Sequence, residues 1–151
     1  MQQRRVIAVD LCASFLEVMV DRLDSYGHDA VLVQCYEDVR KELKKPTDFI
    51  VANELISFDG MPKELWERFQ GDHCNWTGIA LFYALKEQGM QLPYFMLGSC
   101  LNDTDALGKR DSEILRQSLN DGMTAHIDIA EADLNDVIKI FEEKLGYKLS
   151  G

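Results

Sequence analysis

Positive charge is scarce in this chain. Its 16 Lys and Arg stand against 26 Asp and Glu, a net charge of −10, and the longest basic run is Lys44-Lys45. A nucleic-acid or anionic-membrane surface needs clustered Lys and Arg, so neither partner is expected. Long apolar runs are also missing, since none approaches the ~20 residues of a membrane span. The opening MQQRRVIAVD offers only Val6–Val9 before an acid, which does not read as a secretory leader. The four cysteines, Cys12, Cys35, Cys74 and Cys100, contain no CxxC pair and read as reduced thiols. No glycine-rich phosphate loop follows the first apolar run, because Leu11-Cys12-Ala13-Ser14 lacks the glycines that let a backbone approach a pyrophosphate. No internal repeat, linker or low-complexity tract interrupts the chain. The expectation is an acidic, soluble, cytoplasmic protein without nucleic-acid or membrane partners.

What is present is ordinary globular material. Hydrophobic content of 46% and charged content of 28% argue against disorder, and 151 residues suit one domain spanning 1–151. Five short apolar runs, at 5–10, 30–35, 48–53, 92–97 and 124–129, read as buried strands. Helical patterns alternate with them. Ser14 and Glu17 form a capping box for a helix with Phe15, Val18, Met19, Arg22 and Leu23 along it, stopped at Gly27. Val39 and Leu43 point inward from 37–45, which Pro46 ends. Trp76–Gln88 carries Ile79, Phe82 and Leu85 on one side; 101–121 carries Ile114, Leu115 and Leu119. The last helix spaces Leu134, Val137, Ile138, Phe141 and Leu145 at i, i+3, i+4, i+7. Alternating strands and helices predict an α/β fold with a doubly wound parallel sheet, flavodoxin-like, in the order 2-1-3-4-5. The stretch 54–75 is too long for an ordinary strand-to-helix loop. With Met61, Trp66 and Phe69 in it and Trp76 after it, it reads as a folded lid or a packed insertion.

In such sheets chemistry sits at the carboxyl edge of the strands. There the first run ends in Asp10 and the third in Asn53, and the plain reading is that both cap neighbouring loops. Cys12, Cys74, Cys100 and His73 could together make a tetrahedral zinc or redox site. Against this, adjacent residues such as His73 and Cys74 rarely ligate one ion, and buried free cysteine is common as a small hydrophobe. A nucleophilic Cys100 or Cys12 beside a histidine lacks an oxyanion loop and an orienting group. Neither a cofactor nor an enzyme activity is expected.

The ordered series RRVIAVD, DFIVAN, Trp76-Thr77-Gly78 before IALFYAL, LPYFMLGS and Asp121-Gly122-Met123-Thr124-Ala125-His126 resembles the receiver domain of two-component response regulators over nearly the whole chain. The resemblance implies a phosphorylation site that this chain does not preserve. The acidic pair is reduced to Asp10 beside Leu11, the phosphoacceptor position is Asn53, and the hydroxyl position is Gly98, followed by Ser99. The lysine position is Ile129, with Ala130 after it, and the aromatic switch position is His126, an imidazole expected near pH 6.5 when unperturbed. An amide cannot form an acyl phosphate, and Mg²⁺ wants several hard, anionic oxygens. Strand alternation turns Glu54 to the face opposite Asn53. The implied protein is a degenerate, pseudo-receiver signalling domain that binds another signalling protein, itself a monomer or weak homodimer. The alternative is a flavodoxin-like domain holding a small ligand or metal at the carboxyl edge under residues 54–75.

Overall fold

The computed structural model describes residues 1–11, 15–99, 101 and 107–150. Five strands, β1 (Arg5–Val9), β2 (Asp29–Val33), β3 (Phe49–Asn53), β4 (Tyr94–Gly98) and β5 (Ala125–Asp128), form one sheet in the order β2-β1-β3-β4-β5. Every pairing is parallel. The helices are α1 (Phe15–Ser25), α2 (Tyr36–Glu42), α3 (Lys63–Glu67), α4 (Thr77–Glu87), α5 (Lys109–Asn120) and α6 (Leu134–Leu145). Fold class and strand order are those expected from the sequence. The capping box at Ser14 lies outside the described residues.

Alternation along the strands divides the core into two layers. Ile7, Val9, Ile50, Ala52, Tyr94 and Met96 face α2, α4 and α5. Val6, Ala8, Phe49, Val51, Phe95 and Leu97 face α1 and α6. On the second side Phe49, Phe95 and Phe141 pack with ring centroids 4.7–5.8 Å apart, within the range of favourable aromatic pairs. One inward assignment fails: Leu119 is 43% exposed, and α5 instead buries Asp111, Ile114, Leu115 and Ser118. On α1 the buried residues are Leu16, Met19, Val20 and Leu23. A buried acid and serine in place of leucine conceal the true face of α5 from hydrophobic periodicity. Cys35 falls outside β2 and precedes α2 as its N-cap.

Residues 54–76 are a packed insertion, not a lid. Ile56, Met61, Leu65 and Phe69 join the core layer of α2 and α4, and Phe69 stacks on Tyr83 of α4 at 4.7 Å and 12°. Trp76 is buried, and Trp66 stacks with Phe58 at 4.7 Å. After the end of β1, Cys35 and Ser57 pair directly. The insertion therefore closes beside the sheet.

Gly78 sets how closely α4 approaches β3. A Cβ there would lie 2.1 Å from the Asn53 carbonyl oxygen, while its N–H donates to the Glu54 carbonyl at 3.0 Å. We therefore expect Gly78→Ala to push α4 off the strand and to cost about 2–3 kcal/mol, the usual penalty of overpacking. Urea unfolding of the variant measures this, and an unchanged midpoint would refute the close approach.

Candidate functional site

The carboxyl edge is assembled from the ends of β1, β3, β4 and β5. Asp10 follows β1 directly; it is only 3% exposed and its N–H donates to the Val33 carbonyl at 3.0 Å. Asn53 closes β3. Its Nδ2 donates to Asp10 Oδ2 at 3.3 Å, and its Oδ1 accepts from the Leu55 N–H at 3.3 Å. One amide thus serves a buried carboxylate and a turn at once, using the donor that a carboxylate lacks. A second carboxylate at position 53 would face Asp10 with like charge.

Glu54 follows Asn53 and takes different partners. Its side chain diverges from Asn53, yet it stays at this edge and leans over β4. Glu54 Oε1 accepts from the Ser99 N–H at 3.4 Å, and Oε2 occupies space where a Gly98 Cβ would come within 2.4 Å. Ile129 follows β5, half-buried, with its N–H on the Gly98 carbonyl at 2.9 Å. No ammonium group is supplied from that position.

Of the four residues that could make a zinc or redox site, only His73 and Cys74 fall among the described residues. His73 is exposed and Cys74 half-buried, and both are held by α5: the His73 N–H donates to Asp111 Oδ2 at 3.1 Å. Cys12 and Cys100 lie outside the described residues. Among the described residues no three His, Cys, Asp or Glu are grouped to hold a metal ion. Surface grooves of about 410 and 420 Å³ lie away from the edge, one along α2 and the end of α4, the other along α6.

Sequence reasoning missed Asp111. Its side chain is fully buried and accepts from the Trp76 indole at 2.9 Å, the His73 N–H at 3.1 Å and the Gly108 N–H at 2.9 Å. Burial alone raises its carboxyl, but these donors, with the Cys74 N–H, outweigh burial and hold it below the usual carboxylate range. The carboxylate ties the insertion to α5. The only sequence signal was an acid in the first turn of α5, which the helix dipole also favours.

His126 is a strand residue, on β5. Half-buried on β5, its Nε2 lies 2.9 Å from Ser118 Oγ, which itself donates to the Leu115 carbonyl. The ring nitrogen must therefore donate to Ser118. Burial disfavours the imidazolium and lowers the imidazole from its expected value near 6.5 to about 4, so His126 is neutral across the physiological range.

Two outcomes follow from this geometry. Asp111→Asn removes the charge that four donors share and should cost about 3 kcal/mol. Hydrogen exchange should quicken at 72–76 while the sheet stays protected. Because the Asp111 pKa is depressed, its contribution is present above the unfolded carboxylate range and fades as pH falls through the folded value. For His126 the folded state also prefers the deprotonated form. Stability therefore falls as pH drops from 6.5 toward 4, by on the order of 2 kcal/mol. An imidazole NMR titration midpoint near 6.5 would refute the burial account.

No family model matches the chain, and no curated protein matches its sequence. Solved structures do match its fold. The receiver domain of the Francisella response regulator 1452 aligns with a TM-score of 0.65 at 13% identity, covering 95% of this chain and 98% of that one. A CheY-like receiver domain from Methanospirillum hungatei aligns at 0.64 with 16% identity, covering 96% and 95%. An atypical orphan response regulator aligns at 0.63 with 14% identity, covering 97% and 99%. With the parallel 2-1-3-4-5 sheet, these alignments establish that the chain has the fold of the response-regulator receiver domain.

Proposed function

We propose that this chain is a pseudo-receiver, a signalling domain that takes up no phosphoryl group and acts by binding another protein. The observation that carries the reading is the hydrogen bond from Asn53 to the buried Asp10 carboxylate. At the end of β3 an amide, chemically unable to form an acyl phosphate, is already committed to the carboxylate that would otherwise help hold a divalent cation. The rest of the edge agrees. Glu54 occupies the space beside Gly98, so an incoming phosphoryl group would meet a carboxylate there. Ile129 brings no positive charge to offset it. His126, bonded to Ser118, serves in this reading as a structural tie between β5 and α5.

The solved structure of the atypical orphan regulator is described as revealing a phosphorylation-independent regulatory mechanism; the same class of behaviour is proposed for this chain. The domain works without cofactor or catalysis, in the cytoplasm, as a monomer or weak homodimer. No helix among the described residues is long and apolar enough to cross a membrane.

Incubation with acetyl phosphate and Mg²⁺ should leave the intact mass unchanged, and beryllofluoride with Mg²⁺ should leave the sedimentation coefficient and amide spectrum unchanged. A stable adduct of about 80 Da, one phosphoryl group, would overturn the proposal.

A further inference from the structure

The packed insertion builds a second feature on the face of α4 and α5. Where α3 ends, Arg68 and Phe69 are carried against Tyr83 of α4 and against Arg110, Ile114 and Arg116 of α5, around a groove of about 350 Å³. Its floor is aromatic, the stacked pair Phe69–Tyr83, with the Arg68 guanidinium 5.3 Å from the Phe69 ring centroid. Three guanidinium groups at one groove are a local exception in a chain of net charge −10.

The acids of the groove leave that positive character available. Asp121 is occupied internally: the Tyr83 hydroxyl donates to Oδ2 at 2.5 Å and Gln117 Nε2 to Oδ1 at 3.2 Å. Glu113 meets Arg110 only at 4.0 Å, and Arg68 meets Glu87 at 3.8 Å, both pairs about half exposed and so weakly held. The Arg116 side chain has no hydrogen bond or ion pair with any described residue. Arg110, by contrast, is placed. Its Nη2 donates to the Arg68 carbonyl at 2.8 Å and its backbone N–H to Asp72 Oδ2 at 2.8 Å, one residue before the buried Asp111. A guanidinium held by one arm keeps its other donors for a ligand and loses little freedom on binding.

We propose that this groove is a docking site for an acidic peptide segment of the partner protein. Arg68, Arg110 and Arg116 take its carboxylates, and the Phe69–Tyr83 floor takes an adjoining apolar side chain. Planar forked donors suit carboxylates, and an aromatic floor with arginine at its rim is the composition of an interface centre. The remaining acidic surface repels such a segment, so it is admitted only here. This deepens the protein-binding reading and rests on it for the class of partner. It also gives the insertion a role, because Arg68 and Phe69 reach the groove only through it.

The test uses the intact, isotope-labelled chain and a short synthetic peptide of Asp and Glu around one Phe, with a Lys-for-acid peptide as control. At ~50 mM salt, where screening is weak, the acidic peptide should shift the amides of Phe69, Tyr83 and Ile114 and the side chain of Arg116. Arg116→Glu, which removes no internal contact, should weaken binding about tenfold. Arg110→Glu should weaken it further. Lys144→Glu, the same charge change on α6, should leave it unaltered. Absence of binding, shifts confined to another face, or equal weakening by Arg116→Glu and Lys144→Glu would each overturn the proposal. A phosphoryl adduct would overturn the phosphorylation-independent reading without touching this result.

Discussion

A parallel sheet covered on both faces leaves only its two ends for polar side chains, and that constraint governs this molecule. β1, β3 and β4 are buried nearly throughout, so a charged side chain has a place only where a strand stops. Asp10, Asn53 and Glu54 gather at the carboxyl edge for that reason, whatever they do there. Burial then sets their chemistry: an Asp10 carboxylate 3% exposed must be hydrogen-bonded, and the Asn53 amide is one of its donors. An edge that elsewhere could gather negative charge around a cation is here relieved internally by a neutral donor.

The insertion depends on two contacts of opposite kinds. Gly78 permits α4 to touch the end of β3, so the 54–76 segment leaves and re-enters the layer within a few residues of one place. Asp111 then gathers the N–H groups around Trp76 and His73 into one buried carboxylate. A buried charge with several donors is strongly directional, which fixes the insertion in one arrangement rather than merely adding area to the core. The arginine groove is a downstream consequence, because Arg110 is the chain neighbour of Asp111 and its Nη2 donates to the Arg68 carbonyl just past the short helix.

His126 shows how far a local environment can move a side chain from its ordinary behaviour. The imidazole on β5 is half-buried under α5 and bonded to Ser118, and desolvation keeps it neutral. The strand and helix are thereby tied by one hydrogen bond instead of being left free to re-pack.

The sequence by itself determined the strands, their order and the layer pattern, because short β-branched runs alternating with helical stripes admit few parallel arrangements. It also determined the identities of Asp10, Asn53, Gly98 and Ile129 at the edge, since strand ends are legible from where apolar runs stop. Only the tertiary structure decided what those residues touch. Leu119 was misread because the buried Asp111 and Ser118 on the true face of α5 carry no hydrophobic signal. Whether 54–76 covered the edge or packed beside it was decided by long-range contacts, Trp76 to Asp111 and Phe69 to Tyr83. Periodicity reports which face of an element is apolar, and says nothing of which distant donor will find a buried charge.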